Sequence, residues 1–318
     1  VSSLDRIVVV VGPTASGKSA LAVDLALALG GEVVNADAVQ LFRGMDIGSA
    51  KVTEAERRGV PHHLLDVLDV HEPTSVATFQ RDARATIEDC LRRGVTPVLV
   101  GGSSLYVRAV IDDFEFPGTD PEVRERYQRR LETEGAEALH AELRRVAPEA
   151  ADQVLPSNGR RLVRALEVTE MTGRPFVASL PAHRSIYRHV TLLGLDVPRP
   201  VLDERIVRRV DAMWEQGLVE EVRGLLDAGI DGSPTASRSI GYQQVLAMLR
   251  GEVSDEEARA ETVRGTRAFA RRQDRMFHQD PRVHWLPHDE PDLLARALDH
   301  VARGGEPGDA ADPSGPRP

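Results

Sequence analysis

Arg6 to Val11 is a short β-branched run closed by Gly12-Pro13, which predicts a buried strand running into a loop. From Lys18 to Leu29 apolar residues recur at helical spacing and stop at Gly30-Gly31, so a helix with a glycine C-cap is expected. Glu32 to Asn35 predicts a second strand and Leu64 to Leu68 a third. Ser75 stands where it would cap a helix running to Arg93 and ending at Gly94, and Pro97 to Val100 predicts the next strand. Alternating strands and helices imply a parallel sheet with helices on both faces. From about Phe116 to Arg188 no convincing strand stands out and helical patterns are punctuated by Pro117, Pro148, Pro156 and Gly173, which predicts a helical insertion. His189 to Val197 restores strand character and a long amphipathic helix begins near Pro200. Ser254 with Glu257 forms a capping-box signature for a helix ending at about His278, and Val283 to Leu286 predicts a last strand. The expected organisation is an α/β core over 1–115 and 189–303, a helical insertion over 116–188, and a disordered tail over 304–318, where Gly, Pro, Asp and Ala dominate.

Composition narrows the function classes. A formal net charge of -10 argues against indiscriminate binding to nucleic acid while leaving room for a local basic groove. Cys90 is the one cysteine, which excludes a disulfide framework and a cysteine zinc site and fits a reduced, cytoplasmic setting. No apolar stretch approaches the length that spans a bilayer, so a soluble, unexported protein with no membrane partner is expected. The expected assembly state is a monomer. Basic residues are almost all arginine; Lys18 and Lys51 are the only lysines.

Gly12-Pro13-Thr14-Ala15-Ser16-Gly17-Lys18-Ser19 matches the phosphate-loop pattern G-x-x-x-x-G-K-[ST] in full, between a predicted strand and a predicted helix. In that setting backbone amides and the positive end of the helix surround a phosphate, Lys18 neutralises its charge, and Ser19 is the candidate ligand for Mg²⁺. The fold class expected is therefore a P-loop NTPase-like parallel sheet. The loop alone does not separate ATP from a diphosphate on another organic group. Asp66 and Asp69 are the weak candidates for the magnesium-binding carboxylate that usually accompanies nucleotide hydrolysis.

Asn35-Ala36-Asp37-Ala38-Val39-Gln40 follows the second strand, at the edge where parallel sheets place their ligands. Asp37 is either a general base beside a bound diphosphate or a helix cap. Arg205 and Arg209, four residues apart on one predicted helix, are either a cationic clamp or a solvated face. His62 and His63 lack partner ligands at useful spacing and read as structural.

The phosphate loop, Asn35-Ala36-Asp37 with Arg43-Gly44-Met45-Asp46-Ile47-Gly48, Pro61 to Asp66, Gly101 to Tyr106, Arg161 with Arg164 to Val168, and Ile240-Gly241-Tyr242 together resemble the tRNA dimethylallyltransferase family. The resemblance runs from about Ile7 to Leu286. It implies transfer of dimethylallyl from its diphosphate to N6 of the adenosine 3′ of the anticodon, in tRNAs reading codons that begin with U. It further implies that Asp37 takes the amine proton, with Lys18, Ser103 and Arg209 completing the catalytic set and Mg²⁺ as cofactor. By the same resemblance tRNA meets Asp37, Ala38, Val39 and Gln40, then Ser103 and Arg124, then Arg160, Arg161, Leu162, Val163 and Arg164. Ser103 stands where the family has threonine, and Arg160-Arg161 where it usually has Gln-Arg. An adenylate prenyltransferase acting on free AMP, a small-molecule kinase and a non-catalytic RNA adaptor are the rival readings.

Overall fold

The structure is a computed structural model that describes residues 6–113, 116–176, 183–233 and 235–304. The expected tail beyond Gly304 lies outside the described residues.

The run Ile7 to Val11 has no exposed side chain, and alternation splits it between two cores. It belongs to β1 (Arg6–Val11), which is followed by α1 (Lys18–Leu29), β2 (Glu32–Asn35), α2 (Glu54–Arg57), β3 (His62–His63), α3 (Val76–Arg92), β4 (Pro97–Gly101) and α4 (Ser104–Ile111). Four helices then come without a strand: α5 (Pro121–Glu134), α6 (Ala136–Val146), α7 (Pro148–Gln153) and α8 (Gly159–Thr172). The chain returns through β5 (His189–Asp196), α9 (Arg199–Glu215), α10 (Leu218–Asp227), α11 (Tyr242–Leu249), α12 (Asp255–His278), β6 (Val283–Pro287) and α13 (Leu293–Ala302). All the strands pair in parallel, in the order β3-β2-β4-β1-β5-β6. Ile7, Val9 and Val11 pack with Phe79 and Ile87 of α3 and Val107 and Ile111 of α4. Val8 and Val10 pack on the opposite face with Leu21 and Leu25 of α1 and Ala297 and Val301 of α13. Both faces are thus covered, as an all-parallel sheet requires.

The strand expected over Leu64 to Leu68 does not form. β3 ends at His63, because Leu64 and Asp66 take the left-handed conformation with φ of 60° and 56°, which a strand cannot continue through. Asp66 is held there by the ammonium of Lys51 at 2.5 Å, and Leu68 keeps only an isolated parallel bridge to Phe42.

The chain folds as two compact units, one up to Asp112 and from Ser185 onward, the other Asp113–Arg184. The second has its own core, with Leu139 and Leu143 of α6 against Leu162 and Leu166 of α8. Within it the carboxylate of Glu167, fully buried, accepts from Arg124, from Thr119 Oγ1 and from the Asp120 amide, and pairs with Arg164.

At the end of α4 Asp112 is 1 % exposed and accepts from Arg108 at 2.8 Å and Arg282 at 2.6 Å. Arg282 also pairs with Asp280 at 2.7 Å, and Arg84 donates to the carbonyls of Ala109, Val110 and Asp112, the orphan acceptors left where the helix stops. Removing one charge from a buried network strands the others, so Asp112→Asn is expected to cost about 3–5 kcal/mol in urea unfolding. Glu204→Gln, which breaks the exposed pair with Arg208, is expected to cost less than about 0.5 kcal/mol.

Candidate active site

Three adjacent strands of the sheet end in the segments singled out from the sequence: β1 runs into Gly12, β2 into Asp37 and β4 into Gly102 and Ser103. Their carboxyl ends lie side by side because Val11 pairs with Gly101 and Asn35 with Val100. A Cβ on Gly101 would stand 2.6 Å from the Ala36 carbonyl, so glycine permits this close approach.

In the phosphate loop Gly17 caps α1 at φ 101°, and Ala15 is also left-handed at φ 65°. Successive amides in such a turn, with the amino end of α1 behind them, form an anion cradle. The cradle is braced from remote elements. Gln273 of α12 accepts the Thr14 amide proton at 2.9 Å, Arg209 of α9 donates to Thr14 Oγ1 at 3.3 Å, and Arg205 donates to the Ser16 carbonyl at 3.3 Å. Arg205 and Arg209 are thus both on the loop, and Arg208 turns away to Glu204. Lys18 Nζ donates to the Pro13 carbonyl at 3.3 Å. Desolvation, with Arg209 nearby, lowers the Lys18 ammonium to about 8, and Asp37 opposes that fall. Desolvation also pulls Arg209 below its ordinary value. Two cations with little local compensation leave the cradle short of negative charge.

Asp37 caps a turn, not a helix. Its Oδ1 accepts the Val39 amide proton at 2.9 Å, while its own amide and carbonyl are held by the side chain of Asn35 at 3.0 Å each. Oδ2 has no hydrogen bond from the described residues and so keeps its lone pairs for an external proton. The field of Asp37 reaches Lys18 on one side and Tyr106 on the other, whose phenol burial and that carboxylate raise to about 12.

A cavity of about 740 Å³ opens over these groups, lined among others by Thr14, Ala15, Lys18, Ser19, Asp37, Gln40, Arg209 and Gln273. The wall takes in Val100 and Gly101 and stops short of Ser103, whose hydroxyl accepts the Tyr106 amide proton at 3.5 Å as the cap of α4. Ala38 and Val39 sit in the turn behind Asp37. Arg124 and Arg160 to Arg164 belong to the helical unit. Arg124 and Arg164 both contact Glu167 there, Arg160 is exposed, and Leu162 and Val163 are buried in that unit's core.

The remaining candidates are structural. Asp66 binds Lys51 and Asp69 binds Arg43. His62 meets the Val60 carbonyl at 2.8 Å and His63 meets Glu32 at 2.7 Å. Glu32, His63 and Cys90 bring their ligand atoms within 4.8 Å of one another, but both oxygens of Glu32 are taken by Arg93, which holds that carboxylate down to about 2. Burial pushes the Cys90 thiol up to about 11. Sequence reasoning missed Gln273 as a brace of the loop, since a single amide at a distance of 259 residues leaves no local signal.

The ammonium of Lys18 is the form that holds a phosphate, so affinity for inorganic diphosphate is expected to fall as pH rises through about 8 in isothermal titration. Lys18→Arg, protonated throughout that range, is expected to abolish the step. A wild-type profile that stays level would remove Lys18 as the phosphate-binding cation.

Residues 40–280 match the model of the family described as IPP transferase. The chain is 61% identical over 288 residues to the tRNA dimethylallyltransferase of Streptomyces avermitilis, covering 91% of this chain and 92% of that one. With the enzyme of the same name from Thermobifida fusca the identity is 58%, over 93% of this chain and 94% of the relative. Among solved structures, the full-length tRNA isopentenylpyrophosphate transferase of Bacillus halodurans superposes with a TM-score of 0.71 at 38% identity, over 95% of this chain and 97% of that one.

Proposed function

The chain belongs to the IPP transferase family, and from that premise we propose that it transfers dimethylallyl from dimethylallyl diphosphate to N6 of the adenosine 3′ of the anticodon, in tRNAs reading codons that begin with U. The observation that carries the reading is the sharing of one cavity by the phosphate loop and Asp37. A diphosphate in the cradle directs its organic group toward the side of the cavity where Asp37 Oδ2 is available as a base.

In the transfer the bond between N6 and the allylic carbon forms as the bond from that carbon to the diphosphate oxygen breaks. The electron pair leaves with the diphosphate, and the proton of the amine passes to Asp37. Charge grows on the departing oxygens, and groups already aimed at them stabilise the transition state more than the ground state. Lys18, the loop amides and Arg209 fill that role; Arg205 keeps the loop in shape through the Ser16 carbonyl. Mg²⁺ fits the oxygen donors present, because the Ser19 hydroxyl lines the cavity beside the cradle and substrate phosphates would supply the further oxygens that a hard cation takes. Bound there, it would add charge neutralisation on the leaving diphosphate.

A base must leave its stack to reach such a cavity, so the acceptor is held along its backbone while one nucleotide enters. Asp37 and Gln40, on the cavity wall, serve the entering nucleotide in this reading, and Arg124, Arg160, Arg161 and Arg164 serve the rest of the tRNA. Arg124 and Arg164 are pre-oriented for this by Glu167. No described helix is long and apolar enough to cross a membrane, and a tRNA substrate fits a cytoplasmic setting.

Asp37→Ala is expected to lower transfer by about 10²–10⁴-fold while tRNA affinity, measured by filter binding, stays within about twofold. Unimpaired turnover would dismiss Asp37 as the base. With Mg²⁺ and labelled dimethylallyl diphosphate, label should appear on tRNA. Label on AMP alone would identify the mononucleotide enzyme, and consumption of ATP without prenyl transfer would identify a kinase.

A further inference from the structure

Between Phe42 and Val52 the chain has no regular secondary structure, yet Asp46, Ile47, Ser49, Ala50 and Lys51 all line the cavity. A segment of that kind keeps its shape only if its backbone donors find fixed partners. Glu221, on α10, supplies them. Its Oε2 accepts the amide protons of Asp46 at 3.1 Å and Ile47 at 2.7 Å, and its Oε1 accepts those of the Gly48 amide at 3.2 Å and the Tyr242 hydroxyl at 2.7 Å. Tyr242 is fully buried, and a Cβ on Gly48 would stand 2.6 Å from its ring, so the loop lies flat against it. Burial and the Glu221 carboxylate hold the Tyr242 phenol far above its ordinary value, which keeps it a donor.

The other end of the loop is fixed by Lys51, whose ammonium reaches the Phe42 carbonyl at 2.9 Å, Asp46 at 2.6 Å and Asp66 at 2.5 Å. Between these anchors the carbonyls of Ser49 and Ala50 accept from Gln40 Nε2 at 3.1 and 3.4 Å. Gln40 also lines the cavity, three residues beyond Asp37. A continuous set of hydrogen bonds therefore leads from Tyr242 through Glu221 and the loop to Gln40.

We infer that Glu221 is a positioning residue for the acceptor side of the cavity: it sets the Asp46–Lys51 loop, and through the Ser49 and Ala50 carbonyls it orients Gln40 toward the incoming nucleotide. The inference rests on the reading of the site as a prenyl transferase. It separates the loop and Gln40, which serve the acceptor, from the phosphate loop, which Glu221 does not touch.

Glu221→Gln is the discriminating variant, because it keeps the volume and removes one acceptor oxygen. The new amide nitrogen must face either the Asp46 and Ile47 donors or the Gly48 donor, and no rotation of a main-chain N–H relieves the clash of like groups. Hydrogen exchange at the amides of Asp46, Ile47 and Gly48 is expected to accelerate at least about tenfold in the variant. The KM for tRNA is expected to rise about tenfold, with the KM for dimethylallyl diphosphate and the affinity for inorganic diphosphate within about twofold of wild type. If Glu221 acts through Gln40, the double variant with Gln40→Ala should be no worse than the more severe single variant.

Unchanged exchange at the three amides, equal losses in both KM values, weakened diphosphate binding, or multiplicative losses in the double variant would each overturn the inference. The exchange measurement is independent of substrate. Should the wild-type protein label AMP and not tRNA, the functional reading falls, and the same KM comparison is then made with AMP as acceptor.

Discussion

The hydrogen bond from the Thr14 amide to the side chain of Gln273 is the constraint on which the rest of the site depends. A phosphate loop is a strained turn of small residues, and its own bonds, such as that from the Ser16 amide to the Pro13 carbonyl, close the turn without fixing where it sits. Gln273 is 6% exposed and reaches across to Gly102 at the end of β4, where an added Cβ would stand 2.3 Å from its nitrogen. One amide thereby ties together the ends of β1 and β4 and the long helix α12. Arg205 and Arg209 make the equivalent tie from α9. The cradle is thus an assembly of several parts of the chain, although its motif occupies one.

What is legible in the sequence follows from how local the cause is. β1, α1 and α12 are legible because each is set by its own side chains and its own caps: the valine run, Gly17 with Gly30, and Ser254 with Glu257. The segment after His63 is not, because Leu64 to Leu68 has the composition of a strand and the force that bends it comes from Lys51. Within the site the phosphate loop is legible as a contiguous motif. Asp37 is legible only as two alternatives, of which the turn made by Oδ1 with the Val39 amide removes the helix cap. Glu221 and Gln273 are not legible, since a glutamate and a glutamine on exposed-looking helices acquire their roles only when the helices dock.

The acidic balance of the chain and its use of arginine are compatible once the pairs are seen. Arginines of the helical unit are neutralised by carboxylates of the same unit, as in Arg126 with Glu170 and Arg130 with Glu142. Such pairs add little stability at a surface, but they hold long side chains in defined directions. Glu167 does this for Arg124 and Arg164 at once, from a position with no exposure. A net charge of -10 therefore coexists with guanidinium groups whose orientation is already fixed.

The scarcity of lysine has a chemical consequence. Of the two, Lys51 is enclosed by two carboxylates and a carbonyl with 3% of its side chain exposed, so its amine is shielded from reagents. Lys18 lines an open cavity and loses its proton at about 8, well below an ordinary ammonium. Toward an acylating or aldehyde reagent at mildly alkaline pH, the side chains of this protein present a single reactive amine. It stands in the anion cradle, where a bound diphosphate would cover it, so covalent modification at Lys18 would report directly on occupancy of the phosphate site.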